Sequence, residues 1–115
     1  MPYIDGTVAA VPAANKQAYI EHARLTAALF KAQGALSVVE TWGDDVPEGK
    51  RTDFRRAVEA AEGEVVTLGW ITWPYKATRD AGWAKLMQDD RLRNAPMPFD
   101  GARMIFGGFE VALEA

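Results

Sequence analysis

Val65-Val66-Thr67-Leu68-Gly69-Trp70-Ile71-Thr72-Trp73, stopped by Pro74 and followed by Lys76 to Met87, decides the fold of this chain. The first nine residues place apolar side chains on both alternating sets of positions, so a strand made of them is covered on both faces and lies centrally in a sheet. From Lys76 onward alanines and large apolar residues recur at helical spacing, which predicts a half-exposed helix that packs back on that sheet.

Upstream, Tyr3 to Val11 alternates weakly, with Ile4, Val8 and Ala10 on one face and Tyr3, Asp5, Thr7 and Ala9 on the other. It is a first strand, closed by Pro12. Asn15 is positioned to N-cap a helix that runs to about Gln33, because its side-chain oxygen can accept a free backbone N–H of the first turn. Tyr19, Ala23, Thr26, Leu29 and Phe30 share one face of that helix, and Gly34 is a C-terminal stop. Leu36 to Trp42 reads as a second strand, with Glu40 and Trp42 on the face of Leu36 and Val38. Residues 44–64 are polar and turn-rich, an insertion between the second and third strands, with Thr52 as cap of a short helix from Asp53 to Ala61. Beyond the second long helix, which ends near Gln88, Asp89 to Gly101 is irregular. Ala102 to Leu113 is a last strand, in which Gly107-Gly108 marks a bulge or a close backbone approach.

The order β-α-β-β-α-β is that of an α+β ferredoxin-like sandwich, an antiparallel sheet of four strands with both helices on one face. With 115 residues, 49% hydrophobic and 25% charged, the chain is expected to form a single domain over residues 1–115 with its own core. The uncovered sheet face holds Trp70 or Trp73, Phe106 or Phe109, and Trp42 by alternation. So much exposed aromatic surface predicts a homodimer whose sheets close face to face into a barrel.

Charge and composition narrow the partners. A net charge of -3 argues against a nucleic-acid footprint. The absence of cysteine removes disulfides and thiolate chemistry and fits a reducing cytoplasm. No basic leader and no stretch near the roughly 20 apolar residues of a membrane span is visible, so a cytoplasmic protein without membrane attachment is expected. With one histidine and no spaced ligand motif, no metal and no cofactor are expected.

The runs Ile4-Asp5-Gly6, Val38-Val39-Glu40-Thr41-Trp42, Asp45-Val46-Pro47, Thr52-Asp53-Phe54-Arg55 and Trp70 to Pro74 form a combination with Met97-Pro98-Phe99-Asp100-Gly101, Arg103-Met104-Ile105 and Gly107-Gly108-Phe109-Glu110. Together they resemble the YbaA-like family of small bacterial proteins of unknown function, over nearly the whole chain. The resemblance implies the dimeric α+β barrel superfamily, which includes cofactor-free monooxygenases, haem-binding enzymes and sensor domains, and it implies no reaction. The chain departs from the family pattern at Tyr75, where a small capping residue is usual, and at Trp83, where a polar one is. Phe106 stands for a tyrosine and Ala102 for a lysine.

Three residues are candidate acid–base groups. His22 lies on the helical face of Tyr19 and Thr26 and titrates near neutral pH, so it is either a general base in a cleft or a boundary residue beside the core. Asp5 and Glu40 are carboxylates within otherwise apolar strands, where each must find a partner or shift its pKa; Arg103 and Arg55 are candidate partners, for catalysis or for fixing register. Trp42, Trp70, Trp73, Phe99 and Phe106 are candidate ligand-binding aromatics, with core or interface packing as the alternative. Met97 to Gly101, stiffened by two prolines, reads as a flap at a pocket mouth or as a rigid connector. Gly49-Lys50-Arg51-Thr52 lacks the upstream glycine and strand-to-helix setting of a phosphate-binding loop. The function expected is binding of a small apolar or aromatic molecule. The alternatives are a cofactor-independent monooxygenase or isomerase acting on an aromatic or quinone-like substrate, and a structural or partner-binding dimer.

Overall fold

The computed structural model describes residues 1–115 and is an α+β structure built on a four-stranded antiparallel sheet. Its strands are β1 (Tyr3–Pro12), β2 (Ser37–Glu40), β3 (Glu64–Trp73) and β4 (Ile105–Glu110), in the order β2-β3-β1-β4. The two long strands form the centre, paired without interruption from Tyr3 opposite Trp73 to Pro12 opposite Glu64. The helices are α1 (Lys16–Ala32), α2 (Phe54–Ala57), α3 (Lys76–Leu86) and α4 (Asp90–Arg93).

The register settles the two faces, because residues paired across strands share a face and successive residues alternate. Tyr3, Trp73 and Ile71 point to the helices and pack with Leu29, Phe30, Ala35 and Leu86 as the main core. Trp73 is 0% exposed and stands edge-on to Phe30, with ring centroids 6.2 Å apart. Ala9, Val11 and Tyr19 continue this layer. On the other face Val8, Ala10 and Val66 are buried under Val58, which the segment between β2 and β3 lays over them. The remainder of that face leaves Leu68 on β3 and Ile105 and Phe109 on β4 exposed.

Several local expectations are corrected. The second strand is only Ser37–Glu40; Leu36 is exposed and Trp42 lies beyond the strand end. The backbone still donates from Thr41 and Gly43 to the carbonyls of Leu68 and Val66, but the chain then peels away into its polar segment. Asn15 makes no side-chain cap. A short 3-10 turn at Ala13–Asn15 leads into α1 instead, and the Asn15 amide donates to the Pro98 carbonyl at 2.9 Å. Asp53 rather than Thr52 caps α2, accepting from Gly49 N–H at 3.0 Å and Arg56 N–H at 2.7 Å. That helix ends at Ala57, close before Glu59 with its positive φ of 50°. The segment after α3 contains one helical turn, α4, capped by Asp89.

The last strand starts at Ile105 because Gly101–Arg103 forms a 3-10 turn capped by Asp100. Gly107 and Gly108 carry no bulge; they pair regularly with Gly6 and Asp5. The close approach is present, since a β-carbon at Gly108 would lie 2.8 Å from the Tyr3 ring and 2.9 Å from Arg79 Nη2. Gly34 ends α1 at φ 105° as expected.

Candidate functional site

Small residues make the floor of a cleft. On the helix-facing side of the sheet, Thr7, Ala9 and Thr67 surround Gly69 at the centre, and such small side chains leave space beneath the helices. The space left is about 510 Å³. Phe30, Trp83, Met87 and Leu92 wall one end; Met97, Phe99 and Met104 wall the other. Phe99 is held over the cleft by two neighbours on α1, 6.3 Å from Tyr19 and 6.4 Å from His22 between ring centroids. Its segment is tied to the start of α1 through the Asn15–Pro98 hydrogen bond.

At one side lies Asp5, 6% exposed, whose carboxylate is saturated with donors. Trp73 Nε1 and Trp83 Nε1 donate to Oδ2 at 2.9 and 2.8 Å, and Arg79 donates to Oδ1 from Nε at 3.0 Å and from Nη2 at 2.8 Å. Arg79 also lies over the Tyr3 ring, 5.2 Å from its centroid. The Asp5 hydrogen bond, foremost, raises the guanidinium pKa further. The expected partners are thereby corrected. Arg103 forms a bidentate pair with Glu64, both contacts at 2.8 Å, and Arg55 donates to the carbonyls of Glu64 and Ala61. A buried carboxylate needs donors close in space, and α3 supplies Arg79 and Trp83 directly above Asp5.

Across β3 sits the second carboxylate. Glu40 pairs with Gly69 in the β2–β3 ladder, and its side chain folds over that glycine; a β-carbon there would lie 2.6 Å from Glu40 Cδ. The Tyr19 hydroxyl donates a short hydrogen bond to Oε2, leaving Oε1 free. Although the residue ends an edge strand and is exposed as a whole, its carboxylate turns inward. Burial raises its pKa, with the Tyr19 hydrogen bond working the other way. Burial, and then Glu40, push the Tyr19 hydroxyl up as well.

His22 borders the cleft one turn beyond Tyr19, with a buried Nδ1 that has no hydrogen-bond partner. Burial lowers its pKa, against a smaller opposite effect of the Pro96 carbonyl, so the ring is neutral at neutral pH. Asp5, His22 and Glu40 thus border one cleft. The two carboxylates flank β3 on the same face, offset by two residues. With strands about 4.8 Å apart and about 3.3 Å per residue, their backbones are about 12 Å apart, too far for a carboxylate dyad.

The aromatic candidates divide. Phe99, Phe106 and Trp70 border the cleft. Trp70 pairs with Gly6 and by register projects its side chain to the alternate face. Trp73 is entirely buried in the core. Trp42 packs on the outer side of Tyr19, ring centroids 5.8 Å apart, under Lys16, and belongs to a shallower groove between α1 and β2 that Glu40 also borders. Tyr19 was predicted only as a residue on the inner face of α1, and Arg79 had no assigned role. The signal for the Tyr19–Glu40 pair is Gly69, a glycine inside the most apolar strand of the chain and opposite Glu40. No group of acidic, histidine or cysteine side chains suited to a metal ion is present, and no helix is long and apolar enough to cross a membrane.

Comparison with known proteins agrees with the resemblance drawn from the motifs. Uncharacterized protein YbaA of Escherichia coli strain K12 is 53% identical over 116 residues, covering 99% of this chain and 99% of its own length. The YbaA proteins of Escherichia coli O157:H7 and Shigella flexneri match at the same identity and coverage. With residues 2–101 also matched by the family described as a protein of unknown function, DUF1428, the chain belongs to that YbaA-like family.

Proposed function

We propose that this protein binds a small, flat, apolar or aromatic molecule in the cleft between α1 and the sheet. The observation that carries the reading is the cleft itself: about 510 Å³, walled by Phe30, Trp83, Met97, Phe99 and Met104, with few polar groups converging on it. Small-molecule sites are typically apolar cavities of about 300–1,000 Å³ whose few polar groups orient the ligand. The Glu40 oxygen that Tyr19 leaves unengaged is a polar group available to orient such a ligand.

The test is a titration with Nile red, an uncharged flat dye that brightens in apolar surroundings. Saturable micromolar binding is expected, weakened at least tenfold in Thr26→Phe, which fills the cleft from the α1 wall. Undiminished binding in that variant would place the dye on the exposed face near Leu68 and Phe109 and count against the reading.

We further propose that the subunit is one ferredoxin-like domain and that two copies associate through the uncovered part of the sheet. Leu68, Ile105 and Phe109 support this, being apolar and exposed on one face, where Leu68 and Ile105 lie on either side of Val8, with Trp70 on the same face by register. Native mass spectrometry is expected to give twice the chain mass, and Phe109→Glu is expected to halve it. A monomeric wild type would refute the dimer while leaving the cleft reading intact.

A further inference from the structure

Glu40 is the one side chain with carboxylate oxygens that borders both the inner cleft and the outer groove between α1 and β2. One of its oxygens is held by Tyr19 and the other is free of protein donors. Gly69 provides the space that lets it lie there, and the walls beyond are apolar. We propose that Glu40, positioned by Tyr19, is a general base that removes a proton from a carbon acid bound in the cleft. This rests on the cleft-binding reading above.

The chemistry follows from the surroundings. A carboxylate is a weak base in water because water solvates its charge, and it gains basicity where apolar walls replace that water. Consistent with this, burial raises the pKa of Glu40 above the ordinary carboxylate value. Tyr19 fixes the plane of the carboxylate by engaging Oε2, so Oε1 is the atom that takes the proton. The substrate class is a small flat molecule whose C–H bond is acidified by an adjacent carbonyl or heteroaromatic ring. Glu40 is released by exchange with water in the outer groove, which Lys16, Arg24 and Thr41 line. Asp5 does not compete for the role, because two indoles and a guanidinium already occupy it.

5-Nitrobenzisoxazole tests this directly, since its ring opening needs a base alone. Glu40 Oε1 takes the proton from C3, the C–H electron pair becomes part of the nitrile triple bond, and the N–O bond breaks with its electrons on the phenolate oxygen. The coloured 2-cyano-4-nitrophenolate forms by isomerisation, and the proton passes to water. A saturable rate, inhibited by Nile red, is expected from the wild type. Glu40→Gln is expected to lower it by at least about a hundredfold, the usual contribution of a positioned base. Tyr19→Phe separates positioning from mere packing. Without its hydrogen bond, which lowers the Glu40 pKa, the rise of rate with pH is expected to shift upward. The titratable and charged groups around Glu40 are Tyr19, His22, Asp5 and Arg79 in the cleft, the last two engaged with each other, and Lys16 and Arg24 in the groove. A His22→Asn variant that keeps the profile therefore assigns the rise to Glu40.

Nile red binding with a reaction no faster than free acetate at equal concentration would overturn the base and leave the cleft reading standing, as would an undiminished rate in Glu40→Gln. Failure of the wild type to bind Nile red and to accelerate the probe would remove both.

Discussion

Asp5→Asn changes no volume, and its cost isolates what the buried carboxylate does. In the wild type Oδ2 receives the indole N–H groups of Trp73 and Trp83, and Oδ1 receives two N–H groups of Arg79. An amide offers one oxygen, so its nitrogen must face either the two indoles or the guanidinium, donor against donor. Trp73 is fully buried and has no water to turn to. Leaving one buried donor unsatisfied costs about 1–3 kcal/mol, and breaking a buried charge pair from one side costs about 3–5 kcal/mol. Arg79 keeps Asp80 at 3.0 Å and is a quarter exposed, which holds the expectation to the lower half of that range, about 3–4 kcal/mol. With an unfolding entropy of about 2.1 cal/mol/K per residue, each kcal/mol lowers the melting temperature of a chain this long by about 4 °C, so a drop of about 12–16 °C is expected. Urea unfolding followed by tryptophan fluorescence and by far-ultraviolet circular dichroism measures it. A loss below about 1 kcal/mol would refute the claim that this carboxylate anchors the sheet to α3, since it would equal a single ordinary hydrogen bond.

Two further substitutions probe other elements. Glu64 is held at a pKa of about 2 by the Arg103 hydrogen bonds and then by the Ala61 N–H, against 4.5 for the free side chain. Its folded pKa is the lower one, so its stabilisation is complete above about pH 4.5 and is lost as pH falls toward 2. Melting temperatures of Glu64→Gln are therefore expected to fall less steeply than those of the wild type across that window, and equal slopes would sink the assignment. Gly34 sits at φ 105°, where a β-carbon would also meet Thr78 Cγ2 at 2.9 Å. Gly34→Ala is expected to cost about 1–3 kcal/mol in urea unfolding, more than Gly63→Ala, which has φ 82° and open space around it. Equal costs would show that the Thr78 contact carries nothing.

The α+β class was legible because it rests on local pattern. Apolar residues on both alternating sets from Val65 to Trp73 mark a central strand, and the structure runs β3 from Glu64 to Trp73, although the expected cover on its second face reaches Val66 and leaves Leu68 exposed. Element ends were less legible where side chains answer to distant partners. The Asn15 amide turns to Pro98, 83 residues away, rather than to its own helix, and Asp53 displaces Thr52 by reaching two N–H groups that flank it. Alternation left Trp70 and Trp73 undecided as occupants of the uncovered face. Pairing of Tyr3 with Trp73 and of Gly6 with Trp70 sends them to opposite faces, and pairing partners are a tertiary fact. Asp5 and Glu40 stood out as acids among apolar residues, yet their partners Arg79 and Tyr19 lie 74 and 21 residues away. Nothing in local periodicity joins residues at such separations.

The Asp5 cluster also sets an order of events during synthesis. Its donors lie 68, 74 and 78 residues downstream, and both neighbours of β1 come later in the chain, β4 only at Ile105–Glu110. Of the four strands, β1 is made first and the second of its two partners is made last. Until Trp83 has emerged, Asp5 remains a hydrated carboxylate on an unpaired segment, and until Phe109 has emerged β1 is open along one side. Locally formed α1 is free to appear early, whereas closure of the sheet waits until β4 has emerged.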